Sequence, residues 1–255
     1  MIWTIAQHEF SKLFKSGRLW KLLALSQFVL GFIFFWLVED FIFKSQQSMM
    51  GSSTEVFGIT EKIFHPLFAW TTLFFLLITP LLATQSLTQE RKSHTLENYL
   101  LSPLSAKTII LGKFLGLFLT QLFLLLPLVI MPCLILIRDP LDIGHFLTGL
   151  LGIILLLGTT LSLGMFVSSF AKEPLIAGLT IFVMFIVLCI LEGMGQIFGH
   201  NGEWVAEFAL LYHCKNFLSG LINTKDIVYY VAMSGFFLYF SMRRLSKEAD
   251  YRKRA

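Results

Sequence analysis

Long apolar runs alternate with short polar segments along this chain of 255 residues. A helix needs about 20 predominantly apolar residues to cross a bilayer. The runs are continuous rather than alternating, which favours helices over the strands of a membrane barrel. We expect the last run, which is short for a span, to begin one turn earlier. Six runs qualify, at residues 19–38, 67–87, 109–136, 145–168, 175–197 and 227–242.

Composition supports a membrane environment for most of the chain. Hydrophobic residues make up 56% of the sequence, charged residues only 14%, and the mean hydropathy is +0.74. A soluble domain carries about 25% charged residues. The first run is too long for a cleaved signal peptide. We therefore predict an all-α integral membrane protein with six transmembrane helices, in which residues 1–255 form a single transmembrane domain.

The positions of Lys and Arg predict the orientation, because cytoplasmic loops are enriched in them. Fifteen of the 20 basic residues fall on one side if the N-terminus, 88–113, 169–174 and the C-terminus share it. That side is expected to be cytoplasmic, in a bacterial inner membrane, with both termini inside and 198–226 as an outer hairpin. The basic tail 243–255 is expected to anchor the topology near anionic lipid rather than bind nucleic acid.

Two segments outside the spans are predicted to be amphipathic helices. Residues 1–16 place Trp3, Phe10, Leu13 and Phe14 near one helical face, as in a helix that lies in the membrane interface. The second segment, at 88–103 on the cytoplasmic side, is described next.

The charged segment 88–103 interrupts two of the most apolar parts of the chain. Thr88 is a good N-cap, and Pro103 stops a helix, so we expect about three helical turns over 88–101. Leu96, Tyr99 and Leu100 form an apolar face, and Ser105 is expected to cap the following helix. Such an element is placed to dock on a soluble partner; the alternative is an ordinary surface loop with a helix resting on lipid.

Polar and small residues within the spans predict how the helices pack. Glycines in the fourth run, such as Gly149 and Gly152, let helices approach closely. Lys113 is expected to extend to the cytoplasmic surface. No Asp or Glu lies at the centre of a span, which argues against a proton-driven transporter. Four polar residues lie deep in the spans, and we expect them to form hydrogen bonds between helices. The alternative is that some of them line a substrate path. They are Gln27, Gln121, Thr159 and Thr160.

Motifs for catalysis or cofactor binding are missing from the sequence. It has no G-x-x-x-x-G-K-[ST] nucleotide loop, no H-E-x-x-H and no G-x-S-x-G. Cys133, Cys189 and Cys214 show no paired spacing. His200 and His213 share an outer loop with Cys214, but their spacing fits no known metal site. We expect no catalytic residue, metal or cofactor, so the energy for any work comes from elsewhere.

The stretch QERKSHTLENYLLSPLSAKTIILGKFLG resembles the cytoplasmic loop of type-2 ABC exporter permeases. The family pattern is Glu-basic-x-x-Gly-Thr-Leu-Glu, a Leu-rich turn, Ser/Thr-Pro and a Gly-Lys pair that begins the next span; His94 stands where the family usually has Gly. The N-terminal QHEFSKLFKSGRLW resembles the family's interfacial elbow, with Glu9 and Phe10. The segment FALLYHCKNFLSGLINTKDIVYY resembles its outer hairpin. The closest subgroup is the small permeases related to gliding-motility and multicopper-enzyme-maturation systems.

The resemblance implies that residues 88–103 form a coupling helix, which sits in the cleft of a separate ATPase subunit. Two permease chains, identical or homologous, and two ATPase chains would form the working unit. The ATPase would bind ATP and Mg²⁺, so this chain is not itself an enzyme. Glu90, Arg91 and Glu97 would make polar contacts with the ATPase, and Leu96, Tyr99 and Leu100 apolar ones. The implied coupling residues are Glu90, Arg91, His94, Leu96, Glu97, Tyr99, Leu100 and Pro103.

The interpretation favoured by these features is the permease subunit of an ATP-driven transporter, with export as the expected direction. Two alternatives remain, a membrane enzyme acting on lipid and a scaffold that does not transport. The charge-poor spans favour a lipidic or amphiphilic substrate over a multiply charged one.

Overall fold

The computed structural model describes residues 1–47, 60–93, 95, 104–135, 143–197, 207 and 209–254. Within these ranges the chain is helical and contains no strand, which confirms the all-α prediction. A π-helical turn, Thr60–Phe64, precedes α3. The helices are α1 (Ile2–Lys15), α2 (Arg18–Gln47), α3 (His65–Ser86), α4 (Thr88–Lys92), α5 (Ala106–Ile135), α6 (Ile143–Phe170), α7 (Pro174–Ile197), α8 (Leu210–Leu218) and α9 (Thr224–Arg254).

Five segments in the described part of the chain are long and apolar enough to cross a membrane. They correspond to the first five predicted spans, and they show a multi-pass membrane protein. The segments are Arg18–Gln47, Lys62–Lys92, Ala106–Met131, Ile143–Phe170 and Pro174–Gly193.

The predicted sixth span lies within α9, which is not among these five. Charged residues flank its apolar stretch, with Asp226 before it and Arg243 after it. The contacts of α9 nevertheless connect two ends of the helix bundle. Asp226 binds α8 at one end, and Glu248 binds Arg91 of α4 at the other. A total of six spans therefore stays a prediction.

The predicted basic tail continues the helix rather than leaving the bundle. Helix α9 extends to Arg254, and Leu245 is buried. The guanidinium carbon of Arg244 lies 5.3 Å from the ring centre of Phe170, at the end of α6. This part of the tail therefore packs against the protein.

Helix α6 is the centre of the bundle and is buried along most of its length. It packs against α3, α8 and α9, and its glycines allow the close contacts with α3 and α8. A Cβ atom on Gly149 would stand 2.5 Å from the Phe68 ring, and one on Gly152 would stand 2.5 Å from Phe217 Cβ. The close packing predicted from these glycines is confirmed. Helices α2 and α7, in contrast, are mostly exposed on the surface of the bundle.

Two of the four predicted interhelical hydrogen bonds are present. Gln121 of α5 donates to the Thr79 hydroxyl of α3 at 2.9 Å. The Thr159 hydroxyl of α6 bonds with the Tyr230 carbonyl and the Ser234 hydroxyl of α9. The other two predictions were wrong, because Thr160 donates to Leu156 and Leu157 in its own helix, and Gln27 is exposed.

A buried polar cluster joins α8 to the start of α9. His213 Nδ1 lies 2.6 Å from Asp226 Oδ1, and its Nε2 lies 2.8 Å from the Glu207 carbonyl oxygen. Asn216 donates to the other Asp226 oxygen at 2.9 Å, and the Tyr230 hydroxyl donates to the Leu210 carbonyl at 2.6 Å. Asp226, only 3% exposed, is therefore the acceptor that holds this hairpin together.

Replacing the Asp226 carboxylate should loosen the hairpin. In Asp226→Ala, His213 and Asn216 lose their shared acceptor while they remain in a poorly hydrated site, which costs about 1–3 kcal/mol. We expect a lower apparent melting temperature of the purified protein, measured by intrinsic fluorescence. The neighbouring Lys225→Ala is the control, because Lys225 is exposed. Equal melting of the two variants would contradict this role for Asp226.

Candidate functional site

Helix α1 lies directly on the first turns of α5, because two glycines of α5 leave room for its backbone. A Cβ atom on Gly112 would stand 2.7 Å from Ile5 Cβ. One on Gly116 would stand 2.8 Å from both the Ala6 carbonyl oxygen and Glu9 Cβ. The G-x-x-x-G spacing puts both glycines on one helical face. A helix is present where the interfacial helix was predicted, and this close approach brings Glu9 to α5.

The face of α1 that packs on α5 differs from the predicted apolar face. Its buried residues are Ala6, Glu9 and Leu13, whereas Trp3 and Phe14 are exposed. Phe10 is half-buried, and its ring meets Phe123 edge to face at 6.1 Å. The exposed aromatic side chains remain available for a membrane interface. The sequence pattern did not show that a carboxylate belongs to the buried face.

Lys113 is the centre of a charge cluster at this contact. Its ammonium nitrogen lies 2.5 Å from Glu9 Oε1 of α1 and 2.7 Å from Glu90 Oε1 of α4. The Lys113 side chain is 0% exposed, and each carboxylate residue is 3% exposed. The prediction that Lys113 extends to the surface was therefore wrong. One buried cation instead joins three segments that are far apart in sequence.

A second lysine completes the cluster at its edge. Lys12 of α1, half of whose side chain is exposed, donates to Glu90 Oε1 at 3.1 Å. The two lysines and the two glutamates carry no net charge together. That balance matters, because a buried ion is costly unless an opposite charge and hydrogen bonds accompany it.

Arg91, next to Glu90, connects α4 to two further helices. Its guanidinium donates to the Ala171 and Ser169 carbonyls, at 3.1 and 3.3 Å, where α6 ends. The same group donates to Glu248 Oε2 of α9 at 2.7 Å. Carbonyls at the C-terminal end of a helix lack partners within the helix. A cation there also interacts favourably with the negative end of the helix dipole.

The segment after Arg91 is only partly described. Helix α4 ends at Lys92, with Ser93 as its C-cap. The Thr88 hydroxyl donates to the Thr84 carbonyl, so the predicted N-cap role of Thr88 was wrong. Ser105 does cap α5, because the Thr108 amide donates to its hydroxyl oxygen at 3.2 Å. The remaining predicted coupling residues lie outside the described residues, namely His94, Leu96, Glu97, Tyr99, Leu100 and Pro103.

Comparison of the sequence with models of protein families shows which family the chain belongs to. The model of the ABC-2 family transporter proteins matches residues 3–235. The chain belongs to this family. No curated protein matches the chain at a significant level. The family consists of transporter permeases, so the protein is a membrane permease subunit of an ABC transporter, a kind of subunit that works with an ABC ATPase.

The matched region of the permease contains Glu9, Glu90 and Lys113, whereas Glu248 follows it. Of the four residues predicted as site residues in the described part, the structure brings Glu9 and Glu90 together. Arg91 follows Glu90, and Phe10 follows Glu9. Sequence reasoning missed Lys12, Lys113 and Glu248. The available signal for Lys113 was its position between two glycines of an apolar run. The glycines let another helix approach closely, and that helix can cover the lysine.

Removing the Lys113 ammonium should strongly destabilise the permease. Lys113→Met leaves two buried carboxylates without their common partner, and breaking a buried ion pair costs on the order of 3–5 kcal/mol. We expect a lower apparent melting temperature and aggregation on size exclusion in detergent. Lys107→Met is the matched control, because Lys107 is exposed on the same helix.

A third variant distinguishes charge from packing. Adding Glu9→Gln and Glu90→Gln to Lys113→Met removes the uncompensated charges, so much of the stability should return. If Lys113→Met melts as the wild type does, or if the neutral variant is no better, the cluster does not stabilise the fold in this way.

Proposed function

We propose that an ABC ATPase drives this permease by moving residues 88–103, and that the charge cluster transmits this motion to the spans. The family supports an ATPase partner in general. The observation that carries the proposal is the position of Glu90 and Arg91, at the start of that segment. Both are held by salt bridges to other helices rather than by contacts within α4.

Each of these salt bridges connects the segment to a different part of the protein. Glu90 holds α5 and α1 through Lys113 and Lys12. Arg91 holds the end of α6 and, through Glu248, α9. A displacement of α4 therefore acts on four helices at once. In this proposal Glu90 and Arg91 anchor the segment, while Glu97 and the apolar side chains of Leu96, Tyr99 and Leu100 contact the ATPase.

Several features support the arrangement of the proposed complex. The end of the bundle that contains the charge cluster is rich in Lys and Arg, which favours the cytoplasm for that end and for both termini. The mostly exposed helices α2 and α7 leave surfaces for lipid and for a second permease chain. We propose two permease and two ATPase chains in the inner membrane, with export as the direction of transport.

Reversing the charge of Glu97 tests the contact with the ATPase. In Glu97→Lys we expect normal insertion and melting, because the residue belongs to a charged segment outside the predicted spans. We expect loss of ATPase co-purification or of coupled ATP hydrolysis. The measurements are pull-down of the ATPase and phosphate release in proteoliposomes. Glu39→Lys, the same charge change on the exposed end of α2, is the control.

A proline at Leu96 provides a second test, because it would interrupt the predicted helix. If both Glu97→Lys and Leu96→Pro assemble and transport normally, residues 88–103 are not the coupling segment. A complex that assembles but never hydrolyses ATP in response to any substrate would favour the scaffold instead.

A further inference from the structure

A cavity of about 190 Å³ opens between α3, α7 and α8, at the opposite end of the bundle from the charge cluster. It is bordered by Thr72 and Leu73 of α3, Leu211 and Cys214 of α8, and an ion pair. One water needs roughly 10–15 Å³ of such space, so there is room for on the order of a dozen heavy atoms.

The Thr72 hydroxyl is the unusual group in this cavity. In α3, the hydroxyls of Thr71, Thr79 and Thr84 each donate to a carbonyl of the preceding turn. Thr72, which is 3% exposed, makes no hydrogen bond of ordinary geometry in the described part of the chain. Its hydroxyl lies against the Cys214 thiol, which is a weak hydrogen-bond partner. A buried hydroxyl without a good partner is costly, so a ligand that accepts its hydrogen bond is favoured.

Away from its ion pair, the cavity is lined by uncharged groups and becomes more apolar with depth. Burial raises the pKa of the Cys214 thiol to about 12, so this group stays uncharged. One turn further along α3, Leu76 lines a small gap of about 10 Å³ that also borders Leu211. Leu73 and Leu77 expose about half of their surface or more beside the cavity, at the depth of the spans.

A salt bridge marks the polar end of the same cavity. Lys215 of α8 lies 2.6 Å from Glu192, near the end of α7. Half of the Lys215 side chain is exposed, whereas Glu192 is largely covered. Charged groups, a buried hydroxyl and apolar side chains therefore follow one another from the surface inwards.

We propose that this cavity binds an ester-linked phospholipid. The order of groups matches the headgroup, the ester and the acyl chain of such a lipid. The phosphate lies near Lys215, and an ester carbonyl accepts a hydrogen bond from the Thr72 hydroxyl. The first carbons of the chain fill the cavity, and the rest lies along the exposed leucines of α3.

The test compares two lipids that differ only in the carbonyl. Purified permease is incubated with phosphatidylethanolamine carrying ester-linked chains or with its ether-linked analogue, and bound lipid is counted by native mass spectrometry. The wild type should prefer the ester lipid by roughly three- to tenfold, the effect of one neutral hydrogen bond. Thr72→Val, which keeps the shape, should bind the ether lipid normally and lose the preference.

Two further variants keep the test decisive. Thr71→Val is the matched control and should keep the preference, because Thr71 bonds to Leu67 of its own helix. Leu73→Trp should fill the opening and reduce the binding of both lipids. The proposal is overturned if the wild type shows no ester preference, or if Thr72→Val keeps one.

A separate measurement distinguishes two sources of the lipid, and this part alone rests on the proposed function. With the ATPase bound, adding ATP should release a transported lipid, whereas a resident bilayer lipid should stay. Either result supports the lipid site. If ATP has no effect because the ATPase is not coupled, the proposed function fails, but the ester preference still tests the lipid site.

Discussion

A lysine ammonium held away from water between two carboxylates is the interaction on which one whole end of this permease depends, where α1, α4 and α5 meet. At the low effective dielectric of a protein interior, charges a few ångströms apart interact strongly, but each ion also loses its hydration. The Lys113 ammonium compensates for its lost hydration by binding Glu9 and Glu90 at once. Because the three side chains come from three segments, none of them can leave without exposing the others to an unfavourable environment.

The backbone packing around the cluster explains how such an arrangement can form. Gly112 and Gly116 allow α1 to lie on α5 at backbone distance, and the side chain between them, Lys113, is thereby covered. The neighbouring Arg91 then ties the same short helix to the ends of α6 and α9. A rigid connection of this kind is what the proposed coupling to an ATPase requires.

The two ends of the bundle use polar groups differently. At one end, charged side chains join helices that must move together if the segment after Arg91 is driven by a partner. At the other end, Asp226 and His213 hold a hairpin beside a cavity whose Thr72 hydroxyl is left without a good acceptor. The proposed lipid cavity is thus separated from the proposed coupling segment by the length of the spans.

Hydrophobic pattern alone determined the fold class and the first five spans, because burial in lipid requires long apolar helices whatever their neighbours are. Local rules also placed the N-terminal helix and the Ser105 cap. The partners of Lys113, Arg91 and Thr160 were decided only in three dimensions, since a side chain in a helix can reach its own backbone, another helix or the surface. Lys113 was expected at the surface. The packing of α1 on two glycines instead buries its side chain, so that Lys113 lies at the centre of the charge cluster.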